Sequence, residues 1–177
     1  MERDRRLWVD YAVDDACLYF ARQIVHWNTE DKGKPVEDRK PIWIYLHNYG
    51  GEVDMMWLLI DAIESSRTPV YTVNFGTCCS AASLLFLSGH KRYMMKRATI
   101  MFHEGAAQIA GDAVKVIDAS KSYEATVKKM KDYILERTRI PKAQLTSKRY
   151  NDWKIDSAYS LENGVCDIVI QSIDEIL

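Results

Sequence analysis

Metal-binding cysteine spacing is missing from this sequence. Its four cysteines, Cys17, Cys78, Cys79 and Cys166, form no Cys-x-x-Cys or Cys-x-x-His pair, which argues against a zinc site. Cys78 and Cys79 are neighbours, and all four read as small buried residues of a reducing compartment. An excess of charge of one sign is also lacking: 24 Lys and Arg face 25 Asp and Glu, for a net charge of −1. Nothing global therefore attracts nucleic acid or an anionic membrane. No apolar segment follows the charged opening Met1-Glu-Arg-Asp-Arg-Arg, so no signal peptide is expected and the setting reads as cytoplasmic. No repeat, low-complexity tract or linker divides the 177 residues, and residues 1–177 are read as a single domain with its own core. No metal or other cofactor is expected.

One absence is local. From Thr68 to His90 there is no Asp, Glu, Lys or Arg. The stretch is long enough to span a bilayer, but Pro69, Asn74, Gly76, Thr77 and Ser80 interrupt it and its halves differ in character. It reads as a buried strand, a tight turn and a buried helix.

The remaining elements follow from periodicity. Leu7-Trp-Val is a short first strand. Asp14 is placed to cap a helix whose apolar face is Cys17, Phe20, Ala21, Ile24 and Val25. Asn28 to Lys40, polar with Gly33 and Pro35, reads as a loop. Ile42-Trp-Ile-Tyr-Leu is a strand buried on both faces, ended by His47-Asn-Tyr-Gly-Gly. Asp54 caps a helix to about Ser65. Val70 to Phe75 is a strand closed by Gly76, and Ala81 to Leu87 a helix stopped by Gly89. His90 and the Lys91-Arg92 pair read as a solvated turn. Ala98 to His103 is another strand. After a loop from Gly105 to Gly111, Asp112 begins the longest helix, to about Arg137, with Val116, Tyr123, Val127, Met130 and Ile134 on its apolar face and its lysines toward solvent. Pro141 starts a short helix, and Val165 to Ile170 is a last strand. Alternating strands and helices predict an α/β domain with largely parallel strands.

Three features carry chemistry. Ser80 stands at the mouth of an uncharged helix, beside backbone N–H groups without intrahelical partners. Gly50-Gly51 directly follows a strand and lets backbone approach a ligand closely. His103 ends an apolar strand, where ligands of open α/β sheets collect. By local sequence alone these read as a helix cap, a tight turn and a structural histidine; His26 and His47, on apolar elements, also read as structural. Together they supply a hydroxyl, a base and two sources of oxyanion N–H, the requirements of acyl transfer to serine. A carboxylate should orient the imidazole, and Asp152, Asp156 and Asp167 are all candidates.

These residues resemble the proteolytic subunit of the Clp protease family, from about Arg6 to Val169. The family's Ser-Pro-Gly-Gly matches Asn48-Tyr49-Gly50-Gly51. Its nucleophile segment Gly-Met-Ala-Ala-Ser-Met-Gly matches Gly76-Thr-Cys-Cys-Ser80-Ala-Ala, and Gly-x-Lys-Arg-Tyr matches Gly89-His-Lys-Arg-Tyr. Met-Ile-His-Gln-Pro matches Met101-Phe-His103-Glu-Gly, and Glu-Tyr-Gly-Leu-Ile-Asp matches Glu162-Asn-Gly-Val-Cys-Asp167. Counting from the last two motifs reaches Asp152 from both sides. The resemblance implies a crotonase-like fold of repeated ββα units, with the helix from 112 to 137 as a protruding handle that interdigitates to stack heptameric rings around a chamber. It implies a serine endopeptidase acting on peptides or unfolded proteins, with Ser80, His103 and Asp152 catalytic, Gly51 and Ala81 giving the oxyanion N–H groups, and Gly50, Glu104 and Gly105 contacting substrate. Cys79, beside Ser80, is not in the nucleophile's position.

The sequence also departs from the family. Members begin with a longer segment that forms axial loops engaging an unfoldase ATPase; here the first strand starts almost at Met1, which argues against a Clp-type ATPase partner. The family's Pro after His-Gln is Gly105, and its Asp-Arg pair before the catalytic Asp is Tyr150-Asn151, where ring assembly or its regulation would differ. Two other functions compete: a catalytically silent ring subunit, and a crotonase-fold enzyme acting on acyl-CoA. The Ser80 and His103 spacing argues against the second.

Overall fold

The computed structural model describes residues 4–105, 108–148 and 151–177. Tyr150, and residues 106 and 107 of the expected loop from Gly105 to Gly111, lie outside them. Alternating apolar residues make the sheet. In β2 (Ile42–Asn48), Ile42, Ile44 and Leu46 point to one face and Trp43 and Tyr45 to the other, as the two-residue period of a strand requires. The first set packs with α1 (Ala16–Glu30), α2 (Val53–Glu64) and α3 (Ala81–Leu87) into the main core. The second joins Val73, Tyr93 and Ile170 in a smaller cluster, edged by Trp8, Tyr71 and Phe75.

Seven strands form the sheet. The main path runs β1 (Arg6–Val9), β2, β3 (Val70–Cys79), β4 (Lys91–Met95), β7 (Ile168–Ile170), all parallel. The expected parallel α/β fold is present. β5 (Thr99–Phe102) pairs in parallel with the end of β3, and β6 (Trp153–Asp156) runs antiparallel to β5. α4 (Ala113–Arg137), α5 (Lys142–Ser147) and α6 (Ser157–Glu162) complete the elements.

β3 is the spine, and Gly76 does not close it as expected. Residues 71–74 pair with β4 and residues 77–79 with β5. The buried Asn74 carries the chain across the change of partner: its Oδ1 accepts from Gly76 N at 3.2 Å, and its Nδ2 donates to Thr99 O at 2.9 Å. A Cβ at Gly76 would stand 2.5 Å from His47 Nδ1, so the glycine admits a packed imidazole rather than ending the strand.

Other expectations need correction. α1 runs on to Glu30, closed by Asp31 N donating to Trp27 O at 3.0 Å, and Asn28 Oδ1 ties its last turn to the Arg67 and Thr68 N–H groups, so the loop starts after residue 30. Val25 is 62% exposed, and Trp27 takes its place on the buried stripe. Asp54 lies inside the first turn of α2 rather than at its cap. Lys91-Arg92 is not a turn but the start of β4; the strand tolerates Arg92 because Asp167 and the Arg137 carbonyl hold its guanidinium. The last strand spans only 168–170, Val165 and Cys166 being buried in the approach to it. His26 and His47 are exposed.

α4 begins where expected, with Asp112 Oδ1 accepting from Lys115 N at 3.0 Å. Its first half, residues 113–126, contains no buried residue, while Val127, Tyr133 and Ile134 are buried in the second. The helix is thus anchored at one end and projects at the other. Among the described residues no helix is long and apolar enough to cross a membrane. The four cysteines are free and buried.

Candidate active site

The strand ladder alone assembles the site. In the β3–β5 pairing Cys79 lies beside Met101, and Ser80 N extends it by donating to Met101 O at 2.9 Å. Ser80 is the first residue beyond β3 and His103 the first beyond β5; parallel strands end on the same side, so the two side chains meet. In the β5–β6 pairing Phe102 lies beside Trp153. One step further, the antiparallel register sets Asp152 beside His103.

The distances follow. Ser80 Oγ is 2.7 Å from His103 Nε2, and His103 Nδ1 is 3.4 Å from Asp152 Oδ1. With the ring proton on Nδ1, facing the carboxylate, the Ser80 hydroxyl donates to Nε2 and is polarised toward attack. The other two carboxylates are committed elsewhere: Asp156 Oδ1 caps α6 by accepting from Tyr159 N at 2.8 Å, and Asp167 is paired with Arg92 at 2.6 Å. Burial would raise the Asp167 pKa, but the Arg92 hydrogen bonds and charge hold it below the usual range.

Ser80 occupies the cap position of α3 yet makes no side-chain cap. Its backbone, φ 55° and ψ −127°, lies where a side chain is disfavoured; such strain costs about 1–3 kcal/mol. The turn aims Oγ out of the helix axis toward His103 and leaves the first amide of α3 free. Ser83 Oγ donates to Ser80 O at 2.6 Å and steadies the bend.

The glycine pair packs against this turn. A Cβ on Gly50 would lie 2.7 Å from Ser80 Cβ and 2.9 Å from Cys79 O. One on Gly51 would lie 2.2 Å from Val13 O, which bridges to the glycines through Val13 N to Gly50 O and Glu52 N to Val13 O. Among the described residues the N–H groups of Gly51 and Ala81 have no protein acceptor. They are open to a developing oxyanion.

Two further supports become clear in the fold. Buried Asn48 accepts from Gly50 N at 2.8 Å, as Asn74 does from Gly76. Asn-x-Gly occurs at both places, and that repeated turn motif is the signal that identifies them. The second support is the handle helix itself: Tyr123 Oη donates to Glu104 O at 2.9 Å, and Lys131 Nζ contacts the Glu104 carboxylate. Glu104 is thereby turned toward α4. Gly105, at φ +81°, follows it and is exposed. Beside His103 is a cavity of about 30 Å³, walled by Leu84, Phe102, Met130, Ile134 and Trp153. Among the described residues no cluster of three or more His, Cys, Asp or Glu could hold a metal ion.

The parallel sheet, its antiparallel flank and the projecting helix make this a crotonase-like α/β fold. The Clp protease family model matches residues 12–173, and the chain belongs to that family. It is 27% identical over 134 residues to the ATP-dependent Clp protease proteolytic subunit 2 of Treponema pallidum, covering 75% of this chain and 67% of that protein. It is 26% identical over 171 residues to the subunit of the same name in Rhodococcus jostii, covering 95% and 85%. To proteolytic subunit 1 of Corynebacterium jeikeium it is 27% identical over 176 residues, covering 98% and 90%.

Proposed function

We propose that this protein is a serine endopeptidase that hydrolyses peptide bonds in peptides or unfolded proteins, working inside an oligomeric chamber. The 2.7 Å contact between Ser80 Oγ and His103 Nε2, at a strained turn beside two unpaired amides, carries this reading. Ser80 Oγ attacks the scissile carbonyl as His103 takes its proton. The Gly51 and Ala81 N–H groups stabilise the oxyanion. His103 then protonates the departing amine, and water releases the acyl group by the same steps in reverse. Asp152 keeps the imidazole oriented and stabilises its charged form.

The chamber is supported by the projecting half of α4, where Val114 is 69% and Ile117 53% exposed. A fluorogenic peptide amide tests the activity: the native protein should cleave it, and Ser80→Ala should lose at least about a thousandfold in kcat. Cleavage surviving in Ser80→Ala would refute the assignment.

A further inference from the structure

The cavity beside His103 is small, and a charged pair lines one side of it. Its walls are apolar apart from His103, Glu104, Lys131 and the exposed Lys148. On the far side of Glu104 and Lys131 is a groove of about 420 Å³ between α4 and α5, sharing Glu104, Lys131, Val127 and Leu145 with the cavity. The Glu104–Lys131 pair is therefore a partition between the two spaces. Each side chain is about 30% exposed (Lys131 31%, Glu104 29%). The partition is fixed from its own helix: Tyr123 and Lys131 both stand on α4, one holding the Glu104 carbonyl and the other its carboxylate. Glu104 Oε1 is buried and its meeting with Lys131 is a charge contact without hydrogen-bond geometry, so Lys131 is its whole compensation.

We propose that Glu104 and Lys131 form the end wall of the subsite for the substrate residue on the acyl side of the scissile bond, restricting it to short uncharged side chains. The inference rests on the peptidase reading above. A space of about 30 Å³ takes a short aliphatic group and excludes an aromatic ring, since it has room for only one or two waters. A charged guest would lose its hydration among apolar walls while both polar groups of the partition are already committed to each other. Lys131 is here a specificity-determining residue.

The test compares peptide aminomethylcoumarins that differ only in the residue before the dye: Ala, Leu, Phe, Lys or Glu. The native protein should favour Ala over Phe, Lys and Glu by about tenfold or more in kcat/KM; a preference for Phe of that size would overturn the proposal. Two double variants then differ in volume alone. Glu104→Gln with Lys131→Met keeps the wall without its charge, whereas Glu104→Gln with Lys131→Ala opens the cavity to the groove. The Phe-to-Ala ratio should be about tenfold higher in the second variant than in the first. Equal ratios in two active variants would overturn the partition and leave the peptidase reading standing. If the native protein cleaves none of the substrates and takes no phosphonate on Ser80, both readings fall together.

Discussion

The Ser80 turn is maintained by its neighbours, and its conformational cost makes it a sensitive probe. Ser80→Gly removes the side chain from a backbone position that glycine adopts freely, and should raise thermal stability by about 1 kcal/mol while abolishing activity. Gly50→Ala does the opposite: its Cβ would collide with Ser80 Cβ and Cys79 O at φ +106°. It should cost about 1–3 kcal/mol in denaturant titrations and sharply reduce activity. At His103, loss of the ring should lower kcat by about a thousandfold or more. Asp152→Asn should cost less, because that carboxylate is 66% exposed and 3.4 Å away; a larger loss there than at His103 would contradict the assigned roles.

Another residue-scale outcome concerns folding. Asp31 is fully buried and accepts from Arg5 at 2.5 and 3.1 Å, with Lys34 and Thr68 also donating. The Arg5 hydrogen bonds, against the opposing effect of burial, hold its carboxyl well below the usual range. The unfolded chain then binds the proton more readily, so this stabilisation is complete above the unfolded pKa of about 3.9 and is lost as pH falls below it. Thermal melts should show stability declining in acid. Asp31→Asn should flatten that decline and cost about 3 kcal/mol at neutral pH, since the buried Arg5 would keep only the half-exposed Glu30 as a charged partner.

At the scale of elements, the strands and helices were legible wherever one short-range pattern decided them. β2 and α3 are short uninterrupted apolar runs bounded by turn residues, α4 has an apolar helical period, and Asp112 caps α4 as its type and position suggest. Long-range contacts decided the rest. Gly76 is a turn signal locally, but Asn74 and His47, neighbours only in the folded sheet, make it a crossing point within β3. Lys91-Arg92 reads as solvated until Asp167, far along the chain, supplies the partner that lets Arg92 lie in a strand. The site was more legible than its support. Ser80, His103 and the glycines stand at strand ends, where sequence marks them. Asp152 was one of three carboxylates until motif spacing singled it out, and the β5–β6 register brings it to His103. Lys131 lies on a helix face rich in lysine, and only the fold reveals that it faces Glu104.

Across the whole molecule, the proposed active centre joins a buried part of the sheet to its exposed margin. Ser80 stands on the buried spine of the sheet, whereas Asp152 precedes an edge strand and Glu104 leans on the handle helix. Assembly through the projecting half of α4 would therefore reach the site by way of Tyr123 and Lys131. Charged substitutions at exposed Val114 and Ile117 should split a large particle into smaller ones in sedimentation velocity, with little change in the melting temperature of the smaller species. An unchanged particle size would place the contact elsewhere. The most direct test of the central claim is reaction with a fluorophosphonate, read by intact mass and peptide mapping. One adduct per chain on Ser80, absent in Ser80→Ala and strongly slowed in His103→Ala, is the expected result. No adduct on the native protein, or one that persists without Ser80, would contradict the account.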